Sequence, residues 1–520
     1  MTDNLMRESS KEDLKSLLKI NPELKNIQPL HFRREHAKSQ STLIFLLITA
    51  YNELFQKRDI KVAHSFADGF FCQDIIENFE ITEEMVQKTK EKIDSYINGK
   101  DKIETKVMKR EDLIQIFKQK NFVDKTKILK VWRVDNIPVI CFRNQIDYEI
   151  EPVQKDLSKL LPFALIKYKY GMLIRFPTLS DPKVIEEFQD LPRTWNLIKE
   201  HEKWIKQLNC ETISDLNSHV FSKTIDRIKW VAEGMHEKKL GEIADDIIKH
   251  YPKKKIITIA GPSSSGKTTF AKRLSIHIGV NGYTTKVISM DDFYRDTVDI
   301  AIDENGDKDF EAISAMNIKL LVERLSQLTE GKEIPVRKFD FVKGTGADDP
   351  KEKIKLNDNE FVILEGIHGL NPSLTEKIGL DKVSRIFVCP FGQLNIDHHH
   401  RISSNDNRLL RRMIRDFQFR NWSPSDTLIM WTNVRKGEEK YINPYQELND
   451  YMFNTSLIYE LPVLATYAKP LISEVTGVQD LEKEAGRLLR FLSFYYHIPG
   501  ERVPGISLMR EFIGNSDFRY

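Results

Sequence analysis

The sequence predicts an α/β protein in which a parallel sheet flanked by helices is preceded by an α+β domain. Three observations predict it. From about residue 255, short apolar runs alternate with longer stretches of helical periodicity. A glycine-bearing loop separates the first of these runs from the helical stretch behind it. Before about residue 200 the pattern is mixed, with strand-like and helical segments broken by Pro177, Pro182 and Pro192.

Composition narrows the class. The chain has 520 residues, of which 40% are hydrophobic and 30% charged. That apolar content supports a core and excludes a largely disordered chain; the length suits about three domains. The longest apolar stretch, Leu43–Ala50, contains Thr49 and is too short to cross a bilayer, so no membrane partner is expected. The polar, acid-bearing start MTDNLMRESSKEDLK does not read as a secretory signal. Lys and Arg total 79 against 77 for Asp and Glu. This balance argues against a surface built wholly to grip nucleic acid, though not against a local basic patch. Cys72, Cys141, Cys210 and Cys389 are scattered, without a CxxC, and suit reduced thiols in a cytoplasmic compartment.

Taken in order, residues 1–30 are polar, with one short helix expected at Lys11–Ile20. Residues 31–200 form the α+β accessory region. In it, 41–55 reads as a mostly buried helix, and Ile137–Arg143 and Met172–Phe176 read as strands. Residues 201–250 are a helical connector ending in GEIADDIIKHYP, and the main boundary falls between about 200 and 250. The main domain is expected over 251–475. Ile256–Ala260 is apolar throughout, as in a strand buried on both faces. Phe270, Leu274 and Ile278 follow at helical spacing, with Gly279 and Gly282 as stop signals. Lys286–Met290, Phe361–Leu364 and Arg385–Cys389 are further strands, and Ile318–Leu328 is a helix with Leu321, Leu325 and Leu328 on one stripe. Residues 476–520 hold an amphipathic helix, Val478–Leu492, and a tail. In such folds ligands sit beyond the carboxyl ends of the strands.

The segment Gly261-Pro-Ser263-Ser264-Ser265-Gly266-Lys267-Thr268 fits G-x-x-x-x-G-K-[ST] between a strand and a helix, which predicts a P-loop NTPase-type sheet. Its glycines let successive backbone N–H groups face phosphate oxygens, and the helix start adds positive potential. Lys267 is expected to reach the β/γ-phosphates of ATP, and Thr268 to offer its hydroxyl to Mg²⁺. Two strands then end in acids. Asp291-Asp292-Phe293-Tyr294 supplies a carboxylate able to accept a proton from an attacking hydroxyl or to hold metal. Phe361-Val-Ile-Leu-Glu365-Gly366 supplies another at the place for a metal-directed carboxylate.

GPSSSGKTT, DDFY, the FDF at 339–341 and ILEG, in this order and at these distances, resemble the uridine kinase/phosphoribulokinase family over about 255–470. The resemblance implies transfer of the ATP γ-phosphate to a small-molecule hydroxyl; in uridine kinases this is the nucleoside 5′-hydroxyl. It implies Asp291 as general base, with Lys267 and Arg415 as catalytic partners. Thr268, Asp291 and Glu365 would surround Mg²⁺. Gly261, Ser263–Thr269, Arg411 and Arg420 would hold the nucleotide. Tyr294, Glu311, Phe339, Phe341, Ile367, Arg412 and Arg415 would line the acceptor pocket. Glu311 stands where the family has an Asp on the ribose hydroxyls, and Gly344 where it has a base-reading His. Losing that donor leaves base preference open.

Arg401–Arg420 carries six arginines in twenty residues. On a helix Arg408, Arg411, Arg412 and Arg415 fall within about 100° of one another. The i,i+4 pairs of like charge cost an isolated helix roughly 0.2–0.5 kcal/mol each, which an anion docked on that face would offset. Arg411, Arg412, Arg415 and Asp416 resemble the RRxxRD lid helix of uridine kinases within a lid at about 391–422, although Trp422 replaces a later arginine. His398–His400 look like a metal tract but are assigned no metal, since three adjacent residues do not converge easily on one ion. His368, after ILEG, reads as local packing or turn structure.

Val62-Ala-His64-Ser-Phe-Ala-Asp68-Gly69-Phe-Phe-Cys72 resembles the editing-type accessory domain of threonyl-tRNA synthetases over about 31–175. Ser41 and Phe45 occupy the positions of its paired histidines, so a Zn-type or hydrolytic site is not expected. His31, His36, His64 and Cys72 match no ligand spacing. The expectation is a cytoplasmic ATP- and Mg²⁺-dependent nucleoside kinase, uridine/cytidine-like, with a homo-oligomer compatible. The alternatives are a kinase of another small hydroxyl substrate, or a nucleotide-regulated RNA- or tRNA-binding protein acting through the N-terminal region.

Overall fold

Helix Ile27–Leu54 absorbs the apolar run at Leu43–Ala50, whose residues are at most 8% exposed. This computed structural model describes residues 27–99, 101–179, 181–302, 308–392 and 394–519. The helix expected at Lys11–Ile20 lies outside the described residues. Among the described residues no helix is long and apolar enough to cross a membrane.

The first sheets are antiparallel. Strands β1 (Ile60–Phe66), β2 (Gly69–Asp74), β6 (Ala164–Tyr168) and β7 (Gly171–Arg175) pair in the order β1-β2-β7-β6. Strands β3 (Glu104–Lys109), β4 (Asn136–Phe142) and β5 (Gln145–Tyr148) form a second, three-stranded sheet. The expected segments at 137–143 and 172–176 coincide with β4 and β7 to within a residue. Three helices, Pro192–Gln207, Ile213–Phe221 and Ile225–Ile248, then lead to the second half.

There, β8 (Ile256–Ala260), β9 (Thr284–Ser289), β12 (Glu360–Glu365), β13 (Val383–Cys389) and β14 (Tyr451–Asn454) form a five-stranded sheet in the order β14-β13-β8-β12-β9. All its pairings are parallel. Strands β10 (Ile334–Asp340) and β11 (Thr345–Ile354) form a separate hairpin.

Strand β12 shows why its sequence is apolar throughout. Successive side chains point to opposite faces. Phe361 and Ile363 pack with Phe270, Leu274, Ile278 and, from helix Ile225–Ile248, Leu240, Ile243 and Ile247. Val362 and Leu364 pack on the other face with Leu321, Leu325 and Leu328. Each fully buried Leu or Ile contributes about 1.5–3 kcal/mol, so neither face tolerates a polar residue. Helix Ile225–Ile248 therefore serves as one covering layer of this sheet.

The first half does not stand apart from the second. Leu113, Phe117, Ile128 and Tyr148 share one apolar cluster with Leu409, Leu410, Met413, Leu464 and Leu488. A buried charged cluster joins the same parts. Lys125 contacts Asp147, the Tyr148 hydroxyl donates to Asp397, and His399 Nε2 lies 2.9 Å from Asp59 Oδ1. His400 Nδ1 lies 2.9 Å from Asp397 Oδ2, and the backbone N–H of His398 donates to Asp124 (2.8 Å). Burial works against charge on His399, but Asp59 and Asp147 push its pKa up to about 9. The three adjacent histidines thus face carboxylates from the first half of the chain.

Candidate active site

Parallel pairing sets the site. Glu365, the last residue of β12, is in register with Ile259 of β8 and Ser289 of β9. Gly261 and Asp291 each follow those partners by two residues. The phosphate loop and both expected acids therefore emerge together at the carboxyl edge of the sheet.

The loop geometry depends on its glycines. A Cβ on Gly261 would collide with the carbonyl oxygen of Val388 on the neighbouring strand. Gly266, with φ 88°, precedes helix Lys267–Val280 in the left-handed region, where a side chain is strained. Ser264 also has positive φ, 58°. Among the described residues, the buried hydroxyls of Ser264 and Ser265 have no hydrogen-bond partner. Unsatisfied donors around a concave loop suit an anion. Lys267 Nζ donates to the carbonyls of Gly261 (3.0 Å) and Pro262 (3.2 Å). Burial holds its pKa below the ordinary lysine value, against the pull of Glu365, Asp291 and Glu511.

The acids crowd one another. The Thr268 hydroxyl donates to Glu365 Oε1 at 3.5 Å. Burial pushes Glu365 up to about 7, reinforced by Asp291 and Glu511 and opposed by Lys267. Burial likewise pushes Glu311 up to about 7, opposed chiefly by Arg412. Asp291 is raised as well; desolvation of its carboxyl outweighs Lys267 and Arg420. Glu365, pushed up to about 7, and Asp291, raised by its burial, are short of positive charge, and a divalent cation among Thr268, Asp291 and Glu365 would supply it. Among the described residues no group of three or more His, Cys, Asp or Glu is placed to hold a metal alone. The donor set fits an ion that takes its remaining ligands from phosphate and water.

The expected acceptor pocket is aromatic. Tyr294 lies 5.6 Å from Phe339 and 6.1 Å from Phe341 between ring centroids, and its hydroxyl donates to the Phe310 carbonyl (3.1 Å). Phe339 is buried, whereas Phe341 is 64% exposed at the hairpin tip. Asp292 faces the hairpin, accepting from the Phe339 N–H at 3.4 Å. Gly344, at φ 68°, closes the turn between β10 and β11, and a Cβ there would collide with Thr297 Oγ1. Glu311 packs against helix Pro424–Tyr441, where a Cβ on Gly437 would lie 2.8 Å from its own Cβ. Ile367 joins the apolar cluster of Ala260 and Leu370.

Helix Ser404–Arg420 lies against the loop, capped by the Ser403 side chain. Arg408 Nε donates to the Ser263 carbonyl (2.9 Å), Arg411 to the Ser264 carbonyl (3.3 Å) and Arg412 to the Ser263 hydroxyl (2.7 Å). Arg411 is fully buried and held by Glu460, so it braces the loop from behind. Arg415 donates to Asp416 (2.8 Å), and Arg420, about half exposed, lies 3.5 Å from the same carboxylate and feels the charge of Asp291. Arg412 also sits 5.9 Å from the Trp422 ring, where the lid pattern has a later arginine.

Sequence reasoning missed Glu438 and Glu460, the buried partners of Arg408 and Arg411, and also missed Glu511. Glu511 comes from the tail helix Arg510–Ile513. Its Oε2 accepts the backbone N–H (3.1 Å) and the hydroxyl (2.7 Å) of Thr269. A carboxylate thus sits on two donors of the loop helix. No local motif marks it; its place is set by the tail folding back more than 240 residues along the chain.

Residues 256–457 match the model of the Phosphoribulokinase / Uridine kinase family. A uridine kinase of Staphylococcus epidermidis is 26% identical over 223 residues, spanning 42% of this chain and 97% of that protein. A uridine kinase of Staphylococcus haemolyticus is 25% identical over the same shares. Among solved structures, a possible uridine kinase from Bacillus stearothermophilus is 16% identical, with 42% of this chain and 98% of that one covered and a TM-score of 0.30. A D-glycerate 3-kinase from Cryptococcus neoformans is 14% identical, with 50% and 87% covered and a TM-score of 0.22. The family match and the uridine kinase relatives support that family for this part of the chain, and with it an ATP-dependent phosphotransferase.

Proposed function

We propose that the chain transfers the γ-phosphoryl group of ATP to the 5′-hydroxyl of a uridine- or cytidine-like nucleoside, forming a nucleoside monophosphate and ADP. One observation carries this reading: the phosphate loop, the acids Asp291 and Glu365, and the arginine helix meet at one sheet edge, beside the aromatic wall of Tyr294, Phe339 and Phe341. The relatives called uridine kinases support the nucleoside.

In this reading Gly261 and Ser263–Thr269 cradle the triphosphate, and Lys267 leaves the loop carbonyls for its phosphates. Thr268, Asp291 and Glu365 hold Mg²⁺, which neutralises phosphate charge when bound. Asp291 takes the proton of the acceptor hydroxyl. The acceptor oxygen bonds to the γ-phosphorus while the bridge to the β-phosphate breaks, releasing ADP. Arg412, Arg415 and Arg420 stabilise the transferring charge and, with Arg411 bracing the loop, exclude water. Tyr294, Phe339, Phe341 and Ile367 line the acceptor pocket, and Glu311 accepts hydrogen bonds from sugar hydroxyls. Residues 31–175 are an accessory recognition region similar to synthetase editing domains.

Gly344 favours a second reading, a kinase of another small polyol. Its tight turn offers no side chain to read a base. A panel of nucleosides and polyols with ATP and Mg²⁺, read as ADP formation, separates the two. Asp291→Asn should lower kcat about 10²–10⁴-fold while ATP binding persists. ADP release independent of any acceptor, or full turnover by the Asn variant, would refute the mechanism. RNA affinity that falls steeply with salt and survives that substitution would favour an RNA-binding role instead.

A further inference from the structure

A second cavity of about 850 Å³ lies behind the phosphate loop, between the two halves of the chain. Helix Ile27–Leu54, the β1–β2 turn, the 396–406 loop, helix Pro424–Tyr441 and helix Gln479–Leu492 line it. Of the 261–269 loop only Pro262 borders it, so it is separate from the phosphate cradle. Its size suits a small organic ligand. Ile44, Phe45, Ile48 and Phe70 give it an apolar wall.

Its cations are unequally satisfied. Arg487 is shared by Glu151, Asp406 and Glu484 at 2.7–2.9 Å. Arg175 is paired with Asp68 (2.7 Å). Arg401 differs. Its guanidinium stacks over Phe70 at 3.9 Å and, among the described residues, its one hydrogen bond goes to the neighbouring Ile402 carbonyl, at 3.3 Å. Among the described residues no ion pair joins it to a carboxylate, and burial lowers its pKa to about 10 against the distant pull of Asp406 and Glu151. Nearby, Arg33 Nη2 binds Glu484 (2.7 Å), while its Nη1 is buried with no partner among the described residues. A half-buried cation without a close counter-ion is partly stripped of water and favours an anion that joins it.

The cavity also reaches the loop through one carboxylate oxygen. Arg435, on the cavity wall, donates to Glu438 Oε2 at 2.5 Å. Arg408 donates to the same oxygen at 2.9 Å, and its Nε holds the Ser263 carbonyl.

We propose that this cavity is a second binding site, for a small organic anion with an apolar body, and that its occupancy bears on the phosphate loop through Arg435, Glu438 and Arg408. The anionic group pairs with Arg401 while the body lies on the Ile44, Phe45 and Phe70 wall. An anion that draws Arg435 off Glu438 leaves that carboxylate to Arg408, which then holds Ser263 more firmly. Neither part depends on the reaction proposed above.

The probe is 8-anilinonaphthalene-1-sulfonate, an aromatic monoanion, titrated by fluorescence into the full-length chain. Saturable binding at one site per chain is expected. Arg401→Met should weaken it at least tenfold, and Ala37→Trp, which fills the cavity from helix Ile27–Leu54, should abolish it. Circular dichroism and melting curves check that both variants fold, and either folded variant decides the matter. Lys267→Ala should leave the affinity unchanged. Amide exchange of residues 261–269 should slow at least threefold when the probe saturates. Non-saturable binding, insensitivity to the folded variants, or loss of the site in Lys267→Ala would overturn the site. Saturable binding with unchanged exchange at 261–269 would overturn its link to the loop.

Discussion

Glu511 offers the sharpest test of the phosphate loop. Its carboxylate accepts two hydrogen bonds from Thr269, at the start of a helix whose free N–H groups attract anions. A triphosphate seated in the loop must compete for those donors. Replacing Glu511 by Gln keeps the shape and an acceptor oxygen but removes the charge. Hydrogen bonds to a charged group contribute about 1.5–3 kcal/mol, against about 0.5–1.5 for neutral ones. The helix start adds about 0.3–1 kcal/mol for a nearby anion. Counting only one of the two bonds, with the smallest of these differences and the lower helix-start figure, the competing hold weakens by at least about 1.4 kcal/mol, or at least about tenfold in affinity. Calorimetric titration with a non-hydrolysable ATP analogue and Mg²⁺ should show the variant binding at least about tenfold tighter, while its melting temperature without nucleotide falls by a few degrees. Unchanged or weaker nucleotide binding in a folded variant would refute the competition, and weaker binding would mark Glu511 as part of the nucleotide site itself.

Lys267→Ala should reduce affinity for the ATP analogue at least a hundredfold in the same calorimeter, with little loss of fold, because the lysine's hydrogen bonds among the described residues go to loop carbonyls. Glu365 and Glu311 titrate near 7 in the folded chain, well above their unfolded value of 4.5. The folded state therefore holds extra protons between about pH 4.5 and 7, and the nucleotide-free chain should lose stability as pH rises through that window; melting curves across it give the sign. Mg²⁺ requires the ionised acids, so binding of the Mg²⁺–ATP analogue below pH 7 should release protons, seen as a buffer-dependent heat. Glu511→Gln should also move that release to lower pH, since Glu511 helps to raise Glu365. Asp397→Asn should destabilise the chain by about 3–5 kcal/mol, because it strips a carboxylate from a buried cluster that holds Lys125, His399 and His400; denaturant unfolding measures it.

Much of the site is legible in the chain because its chemistry is local. The spacing of Gly261, Gly266 and Lys267 reflects a turn that only such residues make. Glu365 and Asp291 follow apolar runs that can only be buried strands, and parallel pairing then brings strand ends together. Arg408, Arg411, Arg412 and Arg415 share a helical face by spacing alone. The partners of these residues are not legible. Glu438, Glu460 and Glu511 are ordinary acids in sequence, placed by contacts with segments 30, 49 and 242 residues away. Strand β14 and the β10–β11 hairpin were also not foreseen. One is only four residues long, and the hairpin lies mostly at the surface with little apolar patterning.

By itself the sequence determined where the glycine-bearing loop turns, which acids end the neighbouring strands and which helix carries cations, since each follows from short-range backbone geometry and periodicity. Tertiary structure alone decided which arginines are spent on buried carboxylates, that the tail lays Glu511 on the loop helix, and that His398–His400 meet the acids of the first half of the chain. The physical reason is that charge pairing in a buried interior depends on distance through space, and adjacency along the chain says little about it once helices and sheets have packed.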